Sequence, residues 1–350
     1  MRYAPEIPPH RRDALVQILE ALDADGDVVL TTHVNADGDG AGSEAALANW
    51  LAARGVPVAI VNPTPFPALF RHLVADPDRI ADPGSERAAW ALRAARLFVV
   101  LDTGEPRRLG RIAGAIGDRP VVVIDHHPVT ETSIPGLGLR DTTACATGEL
   151  VYDLLRLAGR EGDDAWPHPI AEALYTAILT DTGSFRFANT TPRAHVIAAD
   201  LIERGVDPEE VYRRIYATVP MRRIQLLRAA LEELEADPVL PVTWITVPRA
   251  VVEELGATTE DMDGIVEYAR SIEGTEVALL FRETPDGGTK VSFRSNGEVD
   301  VNELARRFGG GGHVKAAGAV VGAPIGPARD QVLEATREVL RRLEMRRRIG

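Results

Sequence analysis

The 350-residue chain has a single cysteine, Cys145, which excludes an intramolecular disulfide and any zinc cluster built on thiolates. Lysine is almost missing as well. All but Lys290 and Lys315 of the 39 basic residues are arginine, a bias of composition rather than of function. Against them stand 52 acidic residues, and the formal net charge of −13 leaves no broad basic surface for holding long nucleic acid by its phosphates. A small anion gripped locally is still compatible with that balance. No run approaches the roughly 18 uninterrupted apolar residues of a spanning helix, and the start, "MRYAPEIPPHRRDALVQ", lacks the apolar stretch of a secretory signal. A soluble, cytoplasmic protein is expected. Internal repeats and low-complexity tracts are absent too, and a chain of this length is expected to form two domains.

What is present is a regular alternation. Short apolar runs rich in Val and Ile, "DVVLTT" near 27–32, "VPVAIV" at 56–61, "RLFVVLD" at 96–102 and "PVVVID" at 120–125, read as strands buried on both faces. Segments 42–55 and 147–160 carry the i, i+3, i+4 spacing of amphipathic helices. The first domain is therefore α/β, with a doubly wound, mainly parallel sheet. From about 169 to 235 the pattern is helical, until the two prolines of "DPVLPV" (237–242) break it. Strand-like runs "TWITV", "TEVALLFRE" and "TKVSFRS" then mix with helices, and a long arginine-rich helix closes the chain. The expected division is a first domain over 1–190, a helical linker over 191–236 with its linker helix near 219–235, and a smaller α/β domain over 237–345. A cleft between the domains is the default place for a ligand.

In open parallel sheets ligands bind beyond the carboxyl ends of the strands, and the conspicuous polar residues fall there. His33 ends one strand and is followed by Asp37 and Asp39 in a glycine-rich loop; Asp102 ends another; Asp125, His126 and His127 end a third. Asp181 closes a helix before a glycine. Taken singly, each such segment is a turn or a helix cap. Together they place several carboxylates in one region, where like charges would raise one another's pKa steeply unless cations were bound. Acids and imidazoles in this number suffice for two divalent cations, and mixed Asp/His ligation suits manganese, with magnesium or cobalt as competitors. Two ions about 3.5 to 4 Å apart are a standard device for phosphate-ester hydrolysis.

"HVNADGDGAGS", "LDTG", "IDHHP" and "TDTGSFRF", in this order, resemble the four motifs of the DHH phosphoesterase superfamily. "SFRSNGEVDVNELARRFGGGGHVKAAG" (292–318) resembles the DHH-associated domain of its nanoRNase branch, the bifunctional oligoribonucleases and 3'-phosphoadenosine 5'-phosphate (pAp) phosphatases. The similarity runs from about 15 to 345. It implies that His33, Asp37 and Asp102 bind one metal, and that Asp39, Asp102, His126 and Asp181 bind a second, so that Asp102 bridges. His127 would face the substrate phosphate as donor or general acid, and Asp125 would orient a histidine.

In the second domain the resemblance implies that Gly310, Gly311, Gly312 and His313, with Arg294 and Ser295, grip a terminal phosphate or nucleotide. The four glycines would let N–H groups converge on an anion, with a helix start after His313 adding its dipole. Arg186 is a further candidate for a contact near the metals, with a structural salt bridge as the alternative. The chain departs from the family at Ala36, where proline is usual, and in "DTGEPRRLG", which replaces a continuation of smaller residues; neither departure touches an expected ligand. The implied activity is hydrolysis of short single-stranded RNA or dinucleotides such as pApA to mononucleotides and of pAp to AMP, by a homodimer, with no membrane partner. The alternatives are a c-di-AMP phosphodiesterase, a single-strand DNA exonuclease, which the short acidic chain disfavours, and a nucleotide-binding regulator without turnover. An inorganic pyrophosphatase is disfavoured because its second domain lacks the "GGGGH" loop.

Overall fold

A computed structural model of the chain describes residues 4–129, 132–159 and 166–349, and leaves out the side chains of His313, Arg348 and Ile349. The chain forms two compact units, Met1–Ala217 and Thr218–Gly350. Among the described residues no helix is long and apolar enough to cross a membrane.

In the first unit the strands are β1 (Val28–Thr31), β2 (Val58–Ile60), β3 (Leu97–Leu101), β4 (Val121–Asp125) and β5 (Leu137–Arg140). They form one sheet in the order β2-β1-β3-β4-β5, and every pairing is parallel. The helices are α1 (Pro9–Asp23), α2 (Gly38–Ala53), α3 (Glu86–Ala94), α4 (Arg111–Ile116), α5 (Thr147–Ala158), α6 (His168–Asp181), α7 (Pro192–Glu203) and α8 (Pro208–Tyr216). Alternate strand residues serve two cores, as the period of a strand requires. Leu30, Leu97, Val99, Val122 and Ile124 pack with α1, α2, α5 and α6, whereas Val29, Phe98, Val100 and Val123 pack with α3 and α4. The sheet is thus doubly wound, as expected, and its strand order reverses between β1 and β3. That reversal opens a crevice at the carboxyl ends.

Two local features differ from the expectation. The glycine-rich segment after Asp37 is not a loop: Gly38 to Ala41 are already the first turn of α2, capped by Asp37. Small residues are needed because α2 lies hard against α6, where a Cβ on Gly42 would come within 2.6 Å of the Ala173 carbonyl oxygen. Strand β5 had no apolar run to announce it; as an edge strand only Leu139 of its four residues is buried. The helices read as part of a linker divide between the units, with α7 and α8 in the first and α9 (Met221–Glu232) in the second.

The second unit also contains β6 (Leu234–Ala236), β7 (Val242–Val247), α10 (Arg249–Glu254), α11 (Ile265–Arg270), β8 (Val277–Glu283), β9 (Thr289–Ser295), α12 (Val301–Arg306), β10 (Gly311–His313), β11 (Ala316–Val321) and α13 (Ile325–Ile349). Its six-stranded sheet runs β10-β11-β9-β8-β7-β6, with only β7 and β8 parallel. One core lies under α12 and α13, and the other under α9 and α11.

A buried arginine ties the amino-terminal helix to the first unit. Arg11 is 1% exposed and donates to Asp141 at 2.6 Å and to Glu149 and Asp153 at 2.7 Å each, while Arg193 also donates to Glu149 and Asp153. Burial works against ionised Asp141, but hydrogen bonds from Thr143, His10 and Arg11 hold its carboxyl well below the usual range. Removing Arg11 strands several buried carboxylates. Arg11→Met should therefore cost about 3–5 kcal/mol, read as a lower denaturant midpoint. The stabilisation due to Asp141 should be complete above about pH 4 and fade on further acidification, because a depressed carboxyl loses its advantage as it protonates.

Candidate metal centre

The carboxyl ends of three strands and one helix deliver the conspicuous side chains to one place. His33 follows β1, Asp37 caps α2 and Asp39 stands in its first turn, Asp102 follows β3, Asp125 ends β4 and is followed by His126 and His127, and Asp181 is the last residue of α6. The backbone is bent to do this. Among the described residues the non-glycine positions with positive φ are Asn35, Asp102, Ser184 and Phe185, each at or within four residues of a cluster member. Such conformations persist only where surrounding structure enforces them.

Asp102 organises the cluster. Its Oδ2 lies 3.3 Å from His33 Nε2, which is 3.7 Å from Asp37 Oδ2; its Oδ1 lies 3.6 Å from His126 Nε2. His126 Nε2 in turn stands 3.8 Å from Asp39 Oδ2 and 3.6 Å from Asp181 Oδ2. One carboxylate thus offers an oxygen to each of two groups: His33, Asp37 and Asp102, and Asp39, His126 and Asp181, each with its ligand atoms within 4.8 Å of one another. The Nε2 atoms of His33 and His126 are both buried and have no hydrogen-bond partner among the described residues. Orphaned buried nitrogens cost about 1–3 kcal/mol each, and a cation between them and the carboxylates removes that cost. The residues present fit divalent metal ions.

The electrostatics agree with that fit. Burial, and then the charges of Asp102, Asp181 and Asp37, push the Asp39 carboxyl well up; burial pushes Asp181 up to about 6 against the pull of His126. Burial would lower His33, yet Asp102 and Asp37 raise it to about 10; burial would raise Asp37, yet His33 holds it down to about 2. Without another cation, His33 is the group that carries the compensating positive charge.

His127 is placed differently from His126. Its Nδ1 donates to Asp125 Oδ1 at 2.9 Å, a bond that raises its pKa, and the same oxygen accepts its backbone N–H at 3.1 Å. Its side chain is 36% exposed against 12% for His126. With Asp102 and His126 it too has ligand spacing, although Nδ1 is already engaged.

Several supporting residues had no sequence signal. Asp39 accepts from the backbone N–H groups of Thr147 at 2.6 Å and Gly148 at 2.9 Å, at the start of α5, while Thr147 Oγ1 donates to Asp102 Oδ1 at 3.0 Å. Asn189 holds Asp181 Oδ2 at 3.0 Å. Only "ATGE", a helix start, hinted at the first of these. Arg186 donates to the Gly183 carbonyl at 2.7 Å.

In the second unit the expected phosphate grip looks different. No helix starts after His313: Gly311–His313 instead pairs antiparallel with Ala316–Gly318 as a hairpin. The glycines serve close approach of backbone, since a Cβ on Gly310 would come within 2.1 Å of the Gly318 oxygen and one on Gly312 within 2.5 Å of the Ala316 oxygen. Nor do their N–H groups converge on open space, because Gly310 donates to Ala305 O and Gly312 to Asn302 Oδ1. Gly311 and Gly312 are nevertheless exposed, whereas the side chain of His313 lies outside what is described. Arg294 is held by Glu267 at 2.8 Å, and Ser295, on the opposite face of β9, keeps a buried hydroxyl without a hydrogen-bond partner among the described residues.

The sequence profile of the DHH family, N-terminal domain, matches residues 27–178, and that of the DHHA1 domain matches 246–343. The chain is 35% identical to the bifunctional oligoribonuclease and PAP phosphatase of Thermus thermophilus, over 94% of each chain. The chain belongs to the DHH family. The Bacillus subtilis protein of the same description is 31% identical over 64% of this chain and 70% of its own length. Among solved structures, an exopolyphosphatase-related protein of Bacteroides fragilis has a TM-score of 0.85 at 23% identity, covering 95% of this chain and 96% of its own. RecJ of Thermus thermophilus in complex with Mn2+ reaches 0.56 at 19% identity, covering 96% of this chain and 56% of its own. These two likenesses concern the fold.

If the cluster binds divalent cations, manganese at a hundredfold excess over its dissociation constant should stabilise this DHH-family chain by about 3 kcal/mol. For a unit of this size the midpoint of thermal unfolding should rise by roughly 5–10 °C. Asp102→Ala, which removes the shared carboxylate, should abolish the rise.

Proposed function

We propose that the chain is a metal-dependent phosphoesterase that hydrolyses short oligoribonucleotides, including pApA, to mononucleotides and pAp to AMP, in the cytoplasm and as a homodimer. The observation that carries this reading is Asp102, whose two oxygens serve two separate groups of nitrogen and oxygen donors. The relatives named for both activities support the choice of substrates. His33, Asp37 and Asp102 would hold one ion, and Asp39, Asp102, His126 and Asp181 the other. Manganese suits this mixture of carboxylates and imidazoles, with magnesium or cobalt as competitors. When bound, such ions supply Lewis acidity and an activated water at a phosphate ester.

The chain's own residues supply the rest. Asp125 fixes the orientation of the His127 ring and stabilises its protonated form, so His127 can give a proton to the departing oxygen. Thr147 and Gly148 keep Asp39 turned into the cluster, and Asn189 does the same for Asp181. Arg294, Ser295, Gly310, Gly311, Gly312 and His313 would bind the terminal phosphate or nucleotide. The exposure of Gly311 and Gly312 supports that role.

Purified protein with manganese should cleave pApA and release phosphate from pAp, faster than it opens c-di-AMP. Failure on every linear substrate would remove the reading, and a preference for the cyclic dinucleotide would replace it with its rival. The two histidines should separate. His126→Ala should lose metal affinity in a calorimetric titration, whereas His127→Ala should keep it and lose about 100- to 10,000-fold in kcat.

A further inference from the structure

The segment "EPRRLG" (105–110) follows Asp102 closely and supplies none of the cluster residues described above. Pro106–Leu109 forms a short 3-10 turn there. Two anchors fix it: Leu109 is fully buried in the core beneath α4, and the Arg108 carbonyl accepts the Val34 N–H at 2.8 Å. Because Val34 adjoins His33, this bond sets the backbone of Arg108 beside the stretch that carries His33 and Asp37. The Arg108 side chain is half-buried, and among the described residues it makes neither a hydrogen bond nor an ion pair. Arg108 also follows Asp102 by six residues, so its turn is tied to the ends of both β1 and β3, and its charge bears on Asp37 and His127.

A guanidinium near a cluster of carboxylates would gain most by forking onto one of them. Arg108 does not. Asp39 is instead held by backbone amides, Asp125 by His127 and Asp181 by Asn189, so those partnerships are complete without it. An arginine kept close to the cluster and unengaged among the described residues has donors to offer an anion that arrives with the ligand. We propose that Arg108 binds the non-bridging oxygens of the phosphate that is cleaved. The proposal rests on the phosphoesterase reading and adds a substrate-binding residue to it. Metal ions would balance the carboxylates, and the fork of Arg108 would balance the charge that the phosphate itself brings. Arg107, exposed on the same turn and likewise without a hydrogen bond or ion pair among the described residues, is the internal control.

Three variants, Arg108→Gln, Arg108→Lys and Arg107→Gln, decide the matter when each is loaded with manganese. Calorimetry would follow binding of manganese and then of inorganic phosphate, and kcat/KM would be measured on pApA. Arg108→Gln should lower kcat/KM about 100-fold, as loss of one preorganised donor does. It should weaken phosphate binding by about tenfold or more, the worth of a charge-assisted bond, and leave manganese affinity as it was. Arg108→Lys keeps the charge without the fork and should recover only part of either loss, which also serves should the glutamine variant not fold. Arg107→Gln should match the parent. Parent-like phosphate binding in the Arg108 variants would overturn the proposal, and so would an equal loss of manganese, since Arg108 would then be supporting the cluster. Phosphate binding is read without turnover, so an inactive parent protein would sink the wider reading while leaving this one tested.

Discussion

Five carboxylates, those of Asp37, Asp39, Asp102, Asp125 and Asp181, are brought to one end of a parallel sheet, and their mutual repulsion is the constraint around which the first unit is arranged. At short range and low effective dielectric such charges cannot all stay ionised unaided. Each has a specific answer. Backbone amides of α5 take Asp39, an imidazole takes Asp125, an asparagine takes Asp181, and His33 sits between Asp37 and Asp102. His33 alone is a small supply of positive charge for this many carboxylates, and the remaining deficit lies around His126 Nε2, which has no hydrogen-bond partner among the described residues. A fold selected for stability alone would have no reason to keep that deficit.

The sheet makes the deficit affordable. The central strands β1, β3 and β4 are apolar up to their ends, so two cores hold them in place and the polar chemistry is confined to those ends. Positive φ at Asp102 shows the division sharply: the residue before it is buried in the sheet, and the backbone then turns into the left-handed region to aim the carboxylate. Packing supplies the rigidity, and strand ends supply the direction.

Much of this was legible beforehand for a simple reason. Strands buried on both faces leave uninterrupted Val and Ile runs, and an acid or histidine at the end of such a run has no packing role, so β1, β3 and β4 announced both themselves and His33, Asp102, Asp125, His126 and His127. Strand β5 escaped because an edge strand needs only one buried residue. The start of α2 escaped because glycines, poor helix formers, were required there by contact with α6 rather than by local preference. The hairpin at Gly311–His313, found where a helix start was expected, escaped for the same reason: Gly310 and Gly312 are required there by contact with the backbone of β11. Thr147, Gly148 and Asn189 act through tertiary contacts that no spacing encodes.

The grip of α5 on Asp39 also bears on how the centre comes into being. Asp39 and Gly148 are 109 positions apart, and Thr147 joins Asp102 across 45. Contacts so distant in the chain close late, after loop entropy has been overcome by the surrounding core. The ligand geometry therefore depends on the core that brings these segments together. Unlike small zinc domains that collapse around their ion, this protein would assemble its fold first and acquire cations afterwards, so scarcity of metal would cost it catalysis before it cost it structure.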